Sequence, residues 1–95
     1  MNQTSLYVAN FINLPNLVVL GSTLNAAFVD EILQHNIEFF VDENINKIGS
    51  KFRGKKIYHP NNLKNYHNIL IPFGEKSASI KARFENLYNG HYIIC

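Results

Sequence analysis

Phe39-Phe40-Val41-Asp42-Glu43-Asn44-Ile45-Asn46-Lys47-Ile48-Gly49-Ser50-Lys51-Phe52-Arg53-Gly54-Lys55-Lys56-Ile57-Tyr58-His59-Pro60 begins as an apolar run that ends in an acid and continues as a basic loop punctuated by glycine. A short, continuous apolar run is the pattern of a strand buried on both faces of a sheet. In an open α/β sheet the carboxyl ends of the strands border the crevice where ligands sit. An acid ending the second strand is there placed to hold a ribose hydroxyl. Asp42 has that station if a strand and a helix precede it.

Both precede it in the chain. Leu17-Val18-Val19-Leu20, closed by Gly21, reads as the first buried strand. From there Leu24, Phe28 and Ile32, with Val29 and Leu33, fall at helical spacing, with Ser22 or Thr23 as N-cap and His35-Asn36 as the end. Ile37 to Val41 is then the second strand, and the alternation implies parallel strands joined by a right-handed crossover. Lys56-Ile57-Tyr58 suits a short edge strand that Pro60 stops, and residues 61–68 a short helix or turn. Asn68 to Pro72 repeats the buried-strand pattern. A helix with Ile80, Phe84, Leu87 and Tyr88 on one stripe follows, with Gly90 as C-cap, and His91 to Ile94 is the last strand.

The expected fold is therefore α/β: a small three-layer unit of about four parallel strands with helices on both faces. The strands Leu17–Leu20, Ile37–Val41, Ile69–Ile71 and Tyr92–Ile94 take the spatial order 2-1-3-4. Val18, Leu20, Phe28, Ile32, Phe40, Ile69, Ile71, Ile80 and Phe84 are its expected core. Residues 1–15 form an N-terminal helical or extended segment, ended by Pro15 and serving as a lid, and residues 16–95 form the domain proper.

Ninety-five residues make one small domain, which buries about 60 to 65% of its unfolded surface. A hydrophobic content of 46% with 17% charged residues excludes a disordered or coiled chain. No apolar run approaches the roughly 20 residues that cross a bilayer. The N-terminus lacks the basic region of a secretory signal, and Cys95 alone makes no internal disulfide, so a reducing cytoplasm is the expected setting. A net charge of +2 is too small to imply nucleic acid, but it is unevenly spread. Residues 1–46 hold no Lys or Arg, whereas Lys47, Lys51, Arg53, Lys55 and Lys56 crowd one loop. Such a loop either attracts a phosphate or an acidic surface, or is simply solvated.

Gly21-Ser22-Thr23-Leu24-Asn25-Ala26 can be laid against the dinucleotide fingerprint G-x-G-x-x-G/A. Gly21 and Ala26 fit, while Thr23 replaces the glycine that lets the backbone approach a pyrophosphate. A helix N-terminus with two hydroxyls still binds anions through its free N–H groups. Asp42 lies 21 positions beyond Gly21, near the spacing of about 20 expected for the ribose acid. The candidate cofactor-binding residues are thus Gly21, Ser22, Thr23, Asp42 and Lys47. The same turn also suits a ligand-free scaffold in which Ser22 only caps a helix.

No catalytic residue or metal ligand can be named. His59 and His67 lack ligand spacing, and His35 suits the dipole at a helix C-terminus. Cys95 has no helix N-terminus to activate it. Asp42 and Glu43 are adjacent on a strand and point to opposite faces, which disqualifies them as an acid/base pair.

Phe40-Val41-Asp42-Glu43, Asn46-Lys47-Ile48-Gly49, Gly54-Lys55-Lys56-Ile57-Tyr58-His59-Pro60 and Ile69-Leu70-Ile71-Pro72 together resemble a small Rossmann-like module. It is similar to the domain at the C-terminus of some SAM-dependent methyltransferases of surface-glycan and sugar biosynthesis, and to N-terminal nucleotide-sugar-binding domains of sugar acetyltransferases. The likeness covers residues 16–95. It implies a non-catalytic module that binds a nucleotide or nucleotide-sugar, with a separately encoded transferase or a second copy of the chain as partner. Neither nucleic acid nor a membrane is implied as a partner. Methyl transfer by this chain is not implied, because Gly21-Ser22-Thr23 departs from the Gly-rich turn of a SAM site. The alternative is a structural or protein-interaction domain that keeps the fold and has lost the ligand.

Overall fold

The computed structural model describes residues 8–95, so part of the expected N-terminal segment, residues 1–7, lies outside the described residues. The molecule is α/β. Its sheet contains β1 (Leu17–Leu20), β2 (Phe39–Val41), β3 (Lys51–Phe52), β4 (Lys55–Tyr58), β5 (Asn68–Ile71) and β6 (His91–Ile94) in the order β3-β4-β2-β1-β5-β6. All pairings are parallel except β3 with β4.

The expected four-stranded layout is corrected to this six-stranded mixed sheet. The four expected segments lie consecutively as β2-β1-β5-β6, and the hairpin β3–β4 extends the sheet beyond β2. The reason is local. Arg53 (φ 51°) and Gly54 (φ 83°) are both left-handed, which makes a two-residue turn whose twist matches the strands it joins. The segment taken for a loop therefore folds back as a ribbon, and β4 finds β2 through Phe40 opposite Ile57.

Strand periodicity divides the apolar residues between two faces. Leu17, Val19, Phe40, Ile57 and Leu70 pack under α1 (Leu24–Ile32), which contributes Ala26 and Val29, while Leu33 just beyond it and Val8 complete the cluster. Val18, Leu20, Val41, Ile69, Ile71 and Tyr92 pack on the other side under Phe84 of α2 (Ser77–Leu87). From Val8 to Leu14 the chain makes helical turns, and Phe11, Ile12 and Leu14 rest on the first cluster.

The orientation of α1 differs from expectation. Ala26, Val29 and Asp30 are its buried positions, whereas Phe28 is 46% and Leu24 82% exposed, and Ile32 and Ile80 are only partly buried. Small Ala26 lets the helix lie close to the sheet, and Asp30 is drawn inward by cations from the hairpin, so the bulky stripe turns outward. Thr23 is the N-cap but its side chain makes no capping bond. Among the described residues no helix is long and apolar enough to cross a membrane.

From β1 the chain winds outward through β2 to β4, then returns to the other side of β1 as β5 and β6. The loops leaving β1 and β5 consequently part company, and this reversal is where open α/β sheets form ligand crevices. Asn25 Nδ2, in the first turn of α1, ties that helix to the loop after β5 by donating to the Pro72 carbonyl at 2.9 Å.

Candidate functional site

The turn after β1 is held beside β2 because the Gly21 N–H donates to the Val41 carbonyl at 2.8 Å. This places Ser22 next to the residue that ends β2. Ser22 Oγ donates to Asp42 Oδ2 at 3.0 Å, the Asn44 N–H donates to Asp42 Oδ1 at 2.9 Å, and Lys47 Nζ stands 4.0 Å from Oδ2. Gly21, Ser22, Asp42 and Lys47 therefore meet at the carboxyl edge. Thr23 lies beside them at the exposed start of α1. Ser22 spends its hydroxyl on Asp42 and does not cap the helix.

Two features of this edge carry no sequence signal. The first is Phe73, whose ring covers Gly21 so closely that a Cβ on that glycine would lie 2.9 Å from Phe73 Cζ. Ser77, fully buried, anchors the loop behind the ring: its Oγ accepts the Phe73 N–H at 2.9 Å and donates to the Ile71 carbonyl at 3.1 Å.

The second is the clamp on Glu43. Arg83 grips its two oxygens at 2.6 and 2.9 Å, and Tyr88 Oη donates to Oε2 at 2.7 Å. The Arg83 hydrogen bonds hold the Glu43 carboxyl below the usual carboxylate range. Burial, and then the bond to Glu43, push the Tyr88 phenol up. Glu43 is thus an ionised anchor for α2 at neutral pH. Its partners lie some forty residues away in the chain, which is why no spacing revealed them.

A cleft of about 170 Å³ between Gly21, Asp42, Glu43, Phe73 and Arg83 is the polar space at this edge. A larger one of about 280 Å³ opens on the α1 side between Asn25, Phe28, Pro72 and Cys95. The smaller cleft holds the chemistry. In the larger, the one thiol is pushed by burial up to about 11 and is inert at neutral pH.

The loop cations do not act as one patch. Arg53 Nε donates to Asp30 Oδ2 at 2.7 Å and its other nitrogen to Glu31, while Lys55 Nζ lies 3.8 Å from Asp30 Oδ1 and donates to the His35 carbonyl. These contacts are at the far end of α1, away from the crevice. His35 joins the same cluster, Nδ1 to Asp30 Oδ2 at 2.8 Å. His59 Nδ1 accepts the Asn61 N–H at the start of the 3-10 turn Pro60–Asn62. Among the described residues, no group of three or more His, Cys, Asp or Glu is placed to hold a metal ion.

No family model, no curated protein and no solved structure matches this chain. The likeness to modules of sugar-modifying enzymes thus gains no counterpart.

Proposed function

We propose that this protein is a non-catalytic, Rossmann-like module that binds a nucleotide or nucleotide-sugar at the carboxyl edge of its sheet. Asp42 accepts from a ribose hydroxyl in place of Ser22. Lys47 and the N-terminus of α1, with Ser22 and Thr23, face the phosphates. Phe73 swings off Gly21 to admit them. The carrying observation is the meeting of Ser22, Asp42 and Lys47 at the edge where the strand order reverses. In the cell the module is accessory to a separately encoded transferase of polysaccharide biosynthesis, in the cytoplasm.

Calorimetry with adenine, uridine and guanine nucleotides and their sugar conjugates at millimolar concentration tests this. A ligand that binds only the folded form also raises the melting temperature by mass action. Asp42→Ala is expected to weaken binding by roughly 1.5 to 3 kcal/mol, the worth of a hydrogen bond to a charged group. Phe73→Ala is expected to tighten it. A second reading, a scaffold or interaction domain without a ligand, is favoured by the ring seated on Gly21 and by the partners Asp42 already has. Absence of heat with both the wild type and Phe73→Ala decides for the scaffold.

A further inference from the structure

α2 packs over β5 and β6, and among the described residues no α-helix covers the β2–β4 end of the same face. Phe39 and Tyr58 project there, and the loop after β4 returns over them to make a cleft of about 220 Å³ lined by Phe39, Tyr58, Asn62, Lys64, Tyr66 and His67. The cleft shares no lining residue with the one beside Asp42. Its rings are mutually braced: Phe39 stands edge-on to Tyr58 (5.0 Å between centroids) and to His67 (5.3 Å), and Tyr66 tilts against His67 at 4.6 Å. Tyr66 is nevertheless 62% exposed.

His67 is the decisive residue. Only 5% of it is exposed, and its Nδ1 accepts the Lys64 N–H at 2.8 Å. The proton of the neutral ring must then be on Nε2. That N–H has no hydrogen-bond partner among the described residues, and Glu38 Oε2 stands 3.9 Å away. Burial lowers the His67 pKa, which keeps the ring neutral and this tautomer in place. His67 is buried as a residue, but its Nε2 still reaches solvent at the aromatic walls, and a donor there with no partner is open to an acceptor. Asn62 supplies the complement: its Nδ2 donates to the His59 carbonyl at 3.1 Å, leaving Oδ1 free to accept.

We infer that this cleft is a second binding site, taking the flat ring of a nucleobase-class heterocycle whose edge carries an acceptor beside a donor. The ring stacks on Tyr66 and Tyr58, its acceptor receives the His67 Nε2–H, and its N–H donates to Asn62 Oδ1. The cleft is below the roughly 300 Å³ at which pockets for drug-sized ligands begin, so it holds a single ring system. Glu38, close to His67 Nε2, disfavours an aromatic acid in the same place.

Free adenine, cytosine and uracil are the probes, because they lack the ribose and phosphate that the Asp42 edge would hold. Amide NMR titration at millimolar base is expected to shift Asn62, Lys64, Tyr66 and His67. Tyr66→Ala, a change at an exposed side chain that leaves the fold intact, is expected to weaken the effect roughly tenfold or more, as loss of one stacking platform does. Asp42→Ala is expected to leave it unchanged. The inference is overturned if no base shifts these amides, if shifts appear only around Asp42, if Tyr66→Ala binds as well as wild type, or if methyl glucoside binds in place of the bases.

Discussion

A solvent-facing carboxylate at position 42 could be lost with barely any effect on stability. The Asp42 side chain is 19% exposed and receives both the Ser22 hydroxyl and the Asn44 N–H. Asp42→Ala should therefore destabilise the free protein by about 1 to 2 kcal/mol, read as a lower urea midpoint, besides weakening any ligand. Two other residues set the response to acid. The Glu43 carboxyl is depressed below its usual 4.5 by the Arg83 hydrogen bonds, and the His67 imidazole below its usual 6.5 by burial. Each group binds its proton more readily in the unfolded chain. Each contribution is thus complete above the unfolded value and is lost as pH falls through the folded one. Urea midpoints should decline first below pH 6.5 and again below 4.5, and Glu43→Gln should flatten the second decline. An unchanged midpoint from pH 7 to pH 4 would contradict this.

Among the elements, the hairpin β3–β4 departs most from what its composition suggests. A polar, Lys-rich stretch with two glycines reads as a mobile gate over residues 46–55. Its backbone is in fact tied at both ends. The Gly49 N–H donates to the Ile57 carbonyl and the Ile57 N–H to the Ser50 carbonyl, each at 3.0 Å. Arg53 and Lys55 fasten the ribbon to Asp30, which is fully buried in α1. Backbone order parameters across residues 51–55 should accordingly match those of β2; markedly lower values would restore the gate. Asp30→Ala should loosen the ribbon by releasing Arg53 and Lys55 from α1, at a modest cost because both cations are partly exposed and re-solvate. Hydrogen exchange should then quicken first at the Ile57 amide.

At the scale of the whole molecule, stability lies in two apolar layers on either side of one sheet. Phe40 belongs to the first and Phe84 to the second, both essentially unexposed. Replacing either by Ala should cost about 3 to 5 kcal/mol in chemical denaturation. Gly90→Ala should also destabilise, since at φ 123° its Cβ would strike Ile69. The apolar runs of β1, β2 and β5, the helical stretch between β1 and β2, and the meeting of Ser22 with Asp42 were all legible in sequence. Local periodicity and strand adjacency determine them, and both are written in consecutive residues. Which face α1 buries, the hairpin beyond β2, the Phe73 ring on Gly21, the Glu43–Arg83 clamp and the open His67 donor were decided by tertiary structure alone. Each depends on groups brought together from distant parts of the chain, and a linear pattern carries no record of which charges or rings will face one another once the sheet is closed.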